Sequence, residues 1–243
     1  MNERINQFEP LVHQFHHKPF EQVPEVIQLD GIWVIVTTEG EVVLRDRGNR
    51  ARNPRQGKKM VILVALGFWT ENGQEKREIV DWQIAESEKH EEWEVLLRRL
   101  VVRGAKAENG LKAIIRDGCG GLGRAVELVY VQSVIDQRCI FHKLKNVRDK
   151  CRTELKGDDH QEERKQLMQE AKTVYQAESA EQAKERLAVW STKWGEVAPE
   201  SVATFERDLI ITHKFLEPPA ERVAKQRLCV VSSIQFGLSP WLV

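Results

Sequence analysis

The chain has 243 residues, enough for one large domain or two small ones with a sizeable core. Hydrophobic residues make up 41% and charged residues 30%, which excludes a disordered or fibrous chain. Lys plus Arg and Asp plus Glu both count 37, which excludes a uniformly basic nucleic-acid binder but leaves room for a local basic patch. No apolar run approaches the ~20 residues of a membrane span. The opening MNERINQFEP has no apolar signal core, so export is not expected. Cys119, Cys139, Cys151 and Cys229 are irregularly spaced, which suits a reducing cytoplasm better than a disulfide framework.

In chain order, residues 1–24 read as a leader. His13, His16 and His17 fall in an expected unstructured stretch rather than a metal site. Val26 to Val36 (VIQLDGIWVIV) and Met60 to Trp69 (MVILVALGFW) are strand candidates. The turn Glu71-Asn72-Gly73 leads into a third, Arg77 to Ile84, and the three form an antiparallel meander. Between the first two strands lies Arg45–Lys59, with seven basic residues (Arg45, Arg47, Arg50, Arg52, Arg55, Lys58, Lys59) against one acid. Its Gly and Pro mark an exposed loop. Trp93, Leu96, Leu97, Leu100 and Val101 repeat at the spacing of an amphipathic helix, and Gly104 is placed to stop it.

Leu111 to Asp117 is then a short strand, Leu122 to Tyr130 a helix and Ser133 to Phe141 a strand, giving the order β-β-β-α-β-α-β. A helix between two strands implies parallel neighbours, so the sheet is expected to be mixed. From Lys143 to His213 the pattern is all helical. Leu228 to Val243 carries no charged residue, a break in composition. The expected division is a leader at 1–24, a catalytic α/β core at 25–142, a helical insertion at 143–217 and an atypical tail at 218–243.

Asp30 sits amid apolar residues in the first strand, where an unpaired carboxylate is expensive. Asp117 ends a later strand. If the two strands pair in parallel, ~4.8 Å apart, both carboxylates can converge on one hard divalent cation such as Mg²⁺. Each Asp also precedes a glycine, so turn capping is the competing reading. Cys139 and His142 form C-x-x-H. Cys151 and His160 could extend it to four zinc ligands, but the spacings match no common finger. Trp190 and Trp194 share a helical face that reads as core.

LDGIWV around Asp30, VALGFW at 64–69, IIRDGCGGL around Asp117 and QRCIFHKLKNV at 137–147 resemble, in order, motifs of the Mutator-type bacterial insertion-sequence transposases. The resemblance covers roughly residues 25 to 217. It implies an RNase H-like fold, with Asp30 and Asp117 as two acids of a DDE triad holding Mg²⁺ (or Mn²⁺). It also implies a structural or site-shaping role for Cys139 and His142. Transposon-end and target DNA would be the partners, and a homodimer or a mixed dimer with full-length transposase the assembly. The seven cations of Arg45–Lys59 would meet DNA phosphates beside the metal site.

The chain departs from that pattern at the third acid. The family's T-T-N-x-x-E-R element does not occur, and Glu206, Glu217 and Glu221 lack its context. A frameshift or truncation near residue 219 would account for both the missing element and the uncharged tail. Only 29 residues precede Asp30, so end recognition is expected to be weak. Two acids of three imply poor cleavage or none. The alternative function is therefore a catalytically inactive fragment that binds DNA or dimerises.

Overall fold

The computed structural model describes residues 2–38 and 56–207. Helix α1 (Asn2–His17) precedes the meander of β1 (Val26–Thr38), β2 (Gln56–Glu71) and β3 (Gln74–Ala85). Next come α2 (His90–Val102), β4 (Ala113–Arg116), α3 (Gly120–Tyr130) and β5 (Ile135–Arg138). Four helices follow: α4 (Ile140–Glu154), α5 (Gln161–Val174), α6 (Ala180–Trp194) and α7 (Pro199–Glu206). The expected β-β-β-α-β-α-β order is present. The strands form one mixed sheet in the order β3-β2-β1-β4-β5. β1 is antiparallel to β2 and parallel to β4, and β4 is parallel to β5. Among the described residues, no helix is long and apolar enough to cross a membrane.

The β2–β3 turn uses Asn72 and Gly73, both at positive φ, the geometry that matches the twist of a two-residue hairpin. The helical spacing read for α2 is the face it buries: Trp93, Leu96, Leu97 and Leu100 pack with Leu122, Ala125, Val126 and Tyr130 of α3 on Ile27, Leu29, Val61, Leu63 and Ile114 of the sheet. Val26, Val64, Leu66, Phe68, Ala113, Ile115 and Cys139 cluster on the opposite face of the sheet. The helical block has its own core, built from α4, α5, α6 and α7 around Val147, Leu167, Trp190 and Phe205. Trp190 and Trp194 are both buried. Their indole N–H groups donate to the Leu167 carbonyl at 3.0 Å and the Glu170 carboxylate at 2.9 Å.

Two expectations are corrected. The stretch holding His13, His16 and His17 is helical rather than unstructured. Its reason lies in β3. The register pairs Ala65 with Asp81 and Leu66 with Ile79, leaving Val80 as an extra residue in a bulge. Consecutive residues Val80 and Asp81 are therefore both buried, against the period of two of a regular strand. Asp81 is fully buried and needs compensation. Arg99 supplies two hydrogen bonds (2.9 and 2.8 Å), Arg103 one at 3.0 Å, and His16 Nδ1 lies 2.7 Å from Oδ1. Arg103 also binds the carbonyls of Lys18 and Val80, so one ion cluster ties α1 and α2 to β3.

The second correction concerns Lys58 and Lys59. β2 begins at Gln56, so both lie in a strand rather than a loop. Lys58 pairs with Glu86, and Lys59 stands 4.5 Å over the Trp33 ring. Arg45, Arg47, Arg50, Arg52 and Arg55 lie outside the described residues, as do Cys229, Glu217, Glu221 and the tail.

Replacing Asp81 by Ala leaves two arginines uncompensated around a buried position. The expected cost is about 3–5 kcal/mol of folding stability, measured by urea denaturation followed by circular dichroism. His16→Ala removes one exposed-side partner of the same carboxylate and is expected to cost about 1 kcal/mol.

Candidate functional site

The last paired residues of the β1–β4 ladder are Leu29 and Arg116. Asp30 is the next residue of β1, and Asp117 is the first residue beyond β4. Side chains alternate along a strand, so Asp30 continues the face of Gln28. The charges of both carboxylates act on Glu88 and on Cys139, so the two lie in one neighbourhood. Asp30 is buried, and its Oδ1 accepts from the Gly31 N–H at 2.9 Å. Asp117 is half-buried, and its Oδ1 accepts from the Cys119 N–H at 2.9 Å, turning the chain into α3. Turn capping is therefore the geometry at Asp117, whereas Asp30 and Gly31 both lie inside the β1–β2 ladder.

Cys139 and His142 are brought to the same place. Cys139 precedes the first turn of α4, and its N–H donates to the Arg116 carbonyl at 2.6 Å. His142 Nε2 lies 3.8 Å from Asp30 Oδ1. The proposed zinc partners are elsewhere: Cys151 is buried in the core of the helical block, and His160 contacts Glu163 at the surface.

One further carboxylate stands here that spacing did not reveal. Glu88, between β3 and α2, places Oε1 only 1.9 Å from where a Cβ on Gly31 would sit. The cradle exists because residue 31 has no side chain. Gly121 plays the same part for the Glu88 backbone, since a Cβ there would lie 2.4 Å from the Glu88 carbonyl oxygen. Burial raises the Glu88 pKa, and the charges of Asp117 and Asp30 raise it further. A hydrogen bond from Trp33 and the charge of Lys59 oppose them. Glu88 therefore shares an electrostatic environment with both aspartates. Nothing in the local sequence, Ser87-Glu88-Lys89, marks it out.

Among the described residues, no set of three or more His, Cys, Asp or Glu is gathered to hold a metal ion as it stands. Mg²⁺, however, is commonly held by one or two carboxylates, with phosphate and water oxygens filling the other positions. Asp30 and Asp117 are hard oxygen donors of that kind, and Glu88 shares their electrostatic environment. The chemistry of the donors fits such an ion.

Burial pushes the Cys139 thiol up to about 11, and the charges of Asp30 and Asp117 act in the same direction. The thiol stays neutral at physiological pH, which suits a structural role. Alkylation of Cys139 in the folded protein at pH 8 is expected to be slower than in the urea-unfolded chain by about a hundredfold on thiolate content alone. Its rate should climb about tenfold per pH unit between pH 8 and 10. Mass spectrometry of the Cys139 peptide after timed iodoacetamide quenching measures both.

The family described as "Transposase, Mutator family" matches residues 3–227. Similar proteins include the transposase for insertion sequence element ISRM5 of Rhizobium meliloti, 27% identical over 74% of this chain and 42% of that protein. The transposase for IS905 of Lactococcus lactis is 26% identical over 74% of this chain and 38% of that protein. That for IS1201 of Lactobacillus helveticus is 26% identical over 63% and 38%. The chain spans about two fifths of the length of these curated relatives. A solved Drosophila P element transposase strand transfer complex aligns with 58% of the chain at a TM-score of 0.30 and 13% identity, too slight a likeness to bear on the fold. With the family matched across nearly its whole length, the chain belongs to the Mutator family of transposases.

Proposed function

We propose that residues 25–142 form an RNase H-like catalytic core of DDE type, acting on transposon-end and target DNA. The observation that carries this reading is the parallel β1–β4 register, whose last pair, Leu29 and Arg116, directly precedes Asp30 and Asp117, with Glu88 against Gly31. The strand order β3-β2-β1-β4-β5 and the family membership support it.

In this reading Asp30 and Asp117 hold the divalent ion, and Glu88 is the third oxygen donor within reach. When bound, Mg²⁺ (or Mn²⁺) supplies charge neutralisation at the reacting phosphate. The protein's remaining work is placement. His142, against Asp30, and Cys139, under the ladder end, hold the first turn of α4 to the site. Lys59 and Lys58 offer positive charge on the same strand pair for flanking phosphates, joined by the arginines of 45–55. The reaction would be hydrolysis of a phosphodiester at the element end, with a P–O bond formed to water and the bond to the 3′ oxygen broken. The freed 3′ hydroxyl would then attack a target phosphodiester, forming a new P–O bond as the bond to the target's own 3′ oxygen breaks and that oxygen leaves as a hydroxyl.

Mn²⁺ titration of the 243-residue protein by calorimetry tests the ion site. Asp30→Asn and Asp117→Asn are each expected to weaken binding by tenfold or more, on the order of what loss of a ligand or its support costs. Glu88→Gln is expected to weaken it by a smaller factor. Unchanged affinity in both aspartate variants overturns the site. Mg²⁺-dependent nicking and strand transfer on element-end DNA, lost in Asp117→Asn, establish the catalytic reading. Ion and DNA binding without cleavage favour the binding-only alternative.

A further inference from the structure

The helical block carries charge that the carboxylate site does not use. A cavity of about 610 Å³ opens between α4 and α5. Five of its nine lining residues are cationic (Arg148, Arg152, Arg164, Lys165 and Lys172) and none is acidic. In a chain with no net charge, this is a local concentration comparable with the 45–59 cluster. Arg148 and Arg152 lie one helical turn apart on α4, and Arg164 and Lys172 lie two turns apart on α5, so two rows of cations face one trough. Buried Cys151 and half-buried Met168 line its floor.

The cations differ in what already holds them. Arg164 donates to the carbonyls of Leu155 and Gly157, both at 2.6 Å, and closes the α4–α5 connection. Lys165 pairs with Glu162 at 2.7 Å, and Arg148 lies 3.8 Å from Asp149. Arg152 and Lys172 are exposed, with no salt bridge among the described residues. Arg152 and Lys172 thus leave positive charge on the trough open to an incoming anion.

We infer that the α4–α5 trough is a second phosphate-binding surface, occupied by the backbone of duplex DNA flanking the bond held at Asp30 and Asp117. α4 supplies the link, since it begins at the carboxylate site with His142. At 1.5 Å per residue, Arg148 lies ~9 Å and Arg152 ~15 Å further along the helix axis. Duplex DNA rises 3.4 Å per base pair, so these distances correspond to roughly three to four base pairs of flanking backbone. This inference rests on the DNA-directed reading above and names residues other than those of the 45–59 cluster.

The test is fluorescence anisotropy of a labelled 30-base-pair duplex binding to the whole chain, repeated over a range of KCl concentrations. In the double variant Arg152→Gln with Lys172→Gln, the slope of log affinity against log salt is expected to fall by about 2, and affinity at moderate salt by about tenfold or more. Arg164 is left intact because it closes the connection, and circular dichroism checks that the variant folds. A slope and affinity equal to wild type overturn the inference while leaving the DNA reading in place. Absence of duplex binding by the wild-type chain overturns the DNA reading itself. Preference of the trough for single strands, lost in the same variant, overturns the duplex assignment.

Discussion

The parallel pairing of β1 with β4 is the constraint on which the site depends. An antiparallel neighbour such as β2 can follow through a short connection, whereas a parallel one requires the chain to cross back over the sheet. Here the crossover is β2, β3 and α2, and it brings the end of β4 alongside a residue of β1 some ninety positions earlier. Strands that run the same way end on the same edge. In open α/β sheets that edge, beyond the carboxyl ends of the parallel strands, is where ligands tend to bind. Asp117 and the Cys139–His142 turn follow the carboxyl ends of β4 and β5, and Asp30 meets that level from inside β1, which runs on to Thr38, although 112 positions separate Asp30 from His142.

The opposite end of the meander is held by a different device. The bulge at Val80 turns Asp81 inward, and the buried carboxylate then gathers Arg99, Arg103 and His16. Such a cluster is weak as a net source of stability, because desolvation offsets much of the attraction. Its effect is on arrangement. α1 has a polar composition and exposed Phe8 and Leu11, so its placement against β3 comes from these specific bonds rather than from a broad apolar contact.

In the helical block, apolar periodicity and charge periodicity divide the same helices. Val147 and Cys151 of α4 and Leu167, Ala171 and Val174 of α5 face inward, which leaves Arg148, Arg152, Lys165 and Lys172 on the outside. The tryptophans on α6 belong to the inner set. Trp190 packs edge-on against Phe205, 4.9 Å between ring centroids, and its N–H is satisfied by a carbonyl. Arg148, Arg152, Lys165 and Lys172 therefore face outward while Trp190 and Trp194 remain in the core, and Lys143 of α4 is the buried exception among the cations.

The amino-acid sequence by itself determined the element order, the Asn72-Gly73 turn, the buried face of α2 and the two aspartates, because these depend on the spacing of neighbours along the chain. Only the tertiary structure decided the rest. Helix 2–17 is tied to the sheet by a carboxylate sixty-five residues from His16 that a strand bulge turns inward. Lys58 and Lys59 became strand residues because β1 continues to Thr38 and pairs with them, so a stretch rich in Gly and Pro still begins a ladder. Glu88 joined the site because Gly31 and Gly121, on two other segments, leave room for its carboxylate and its backbone. A pattern read along the chain reports which residues share a face. It does not report which distant backbone lacks a Cβ at the point where another side chain must pass.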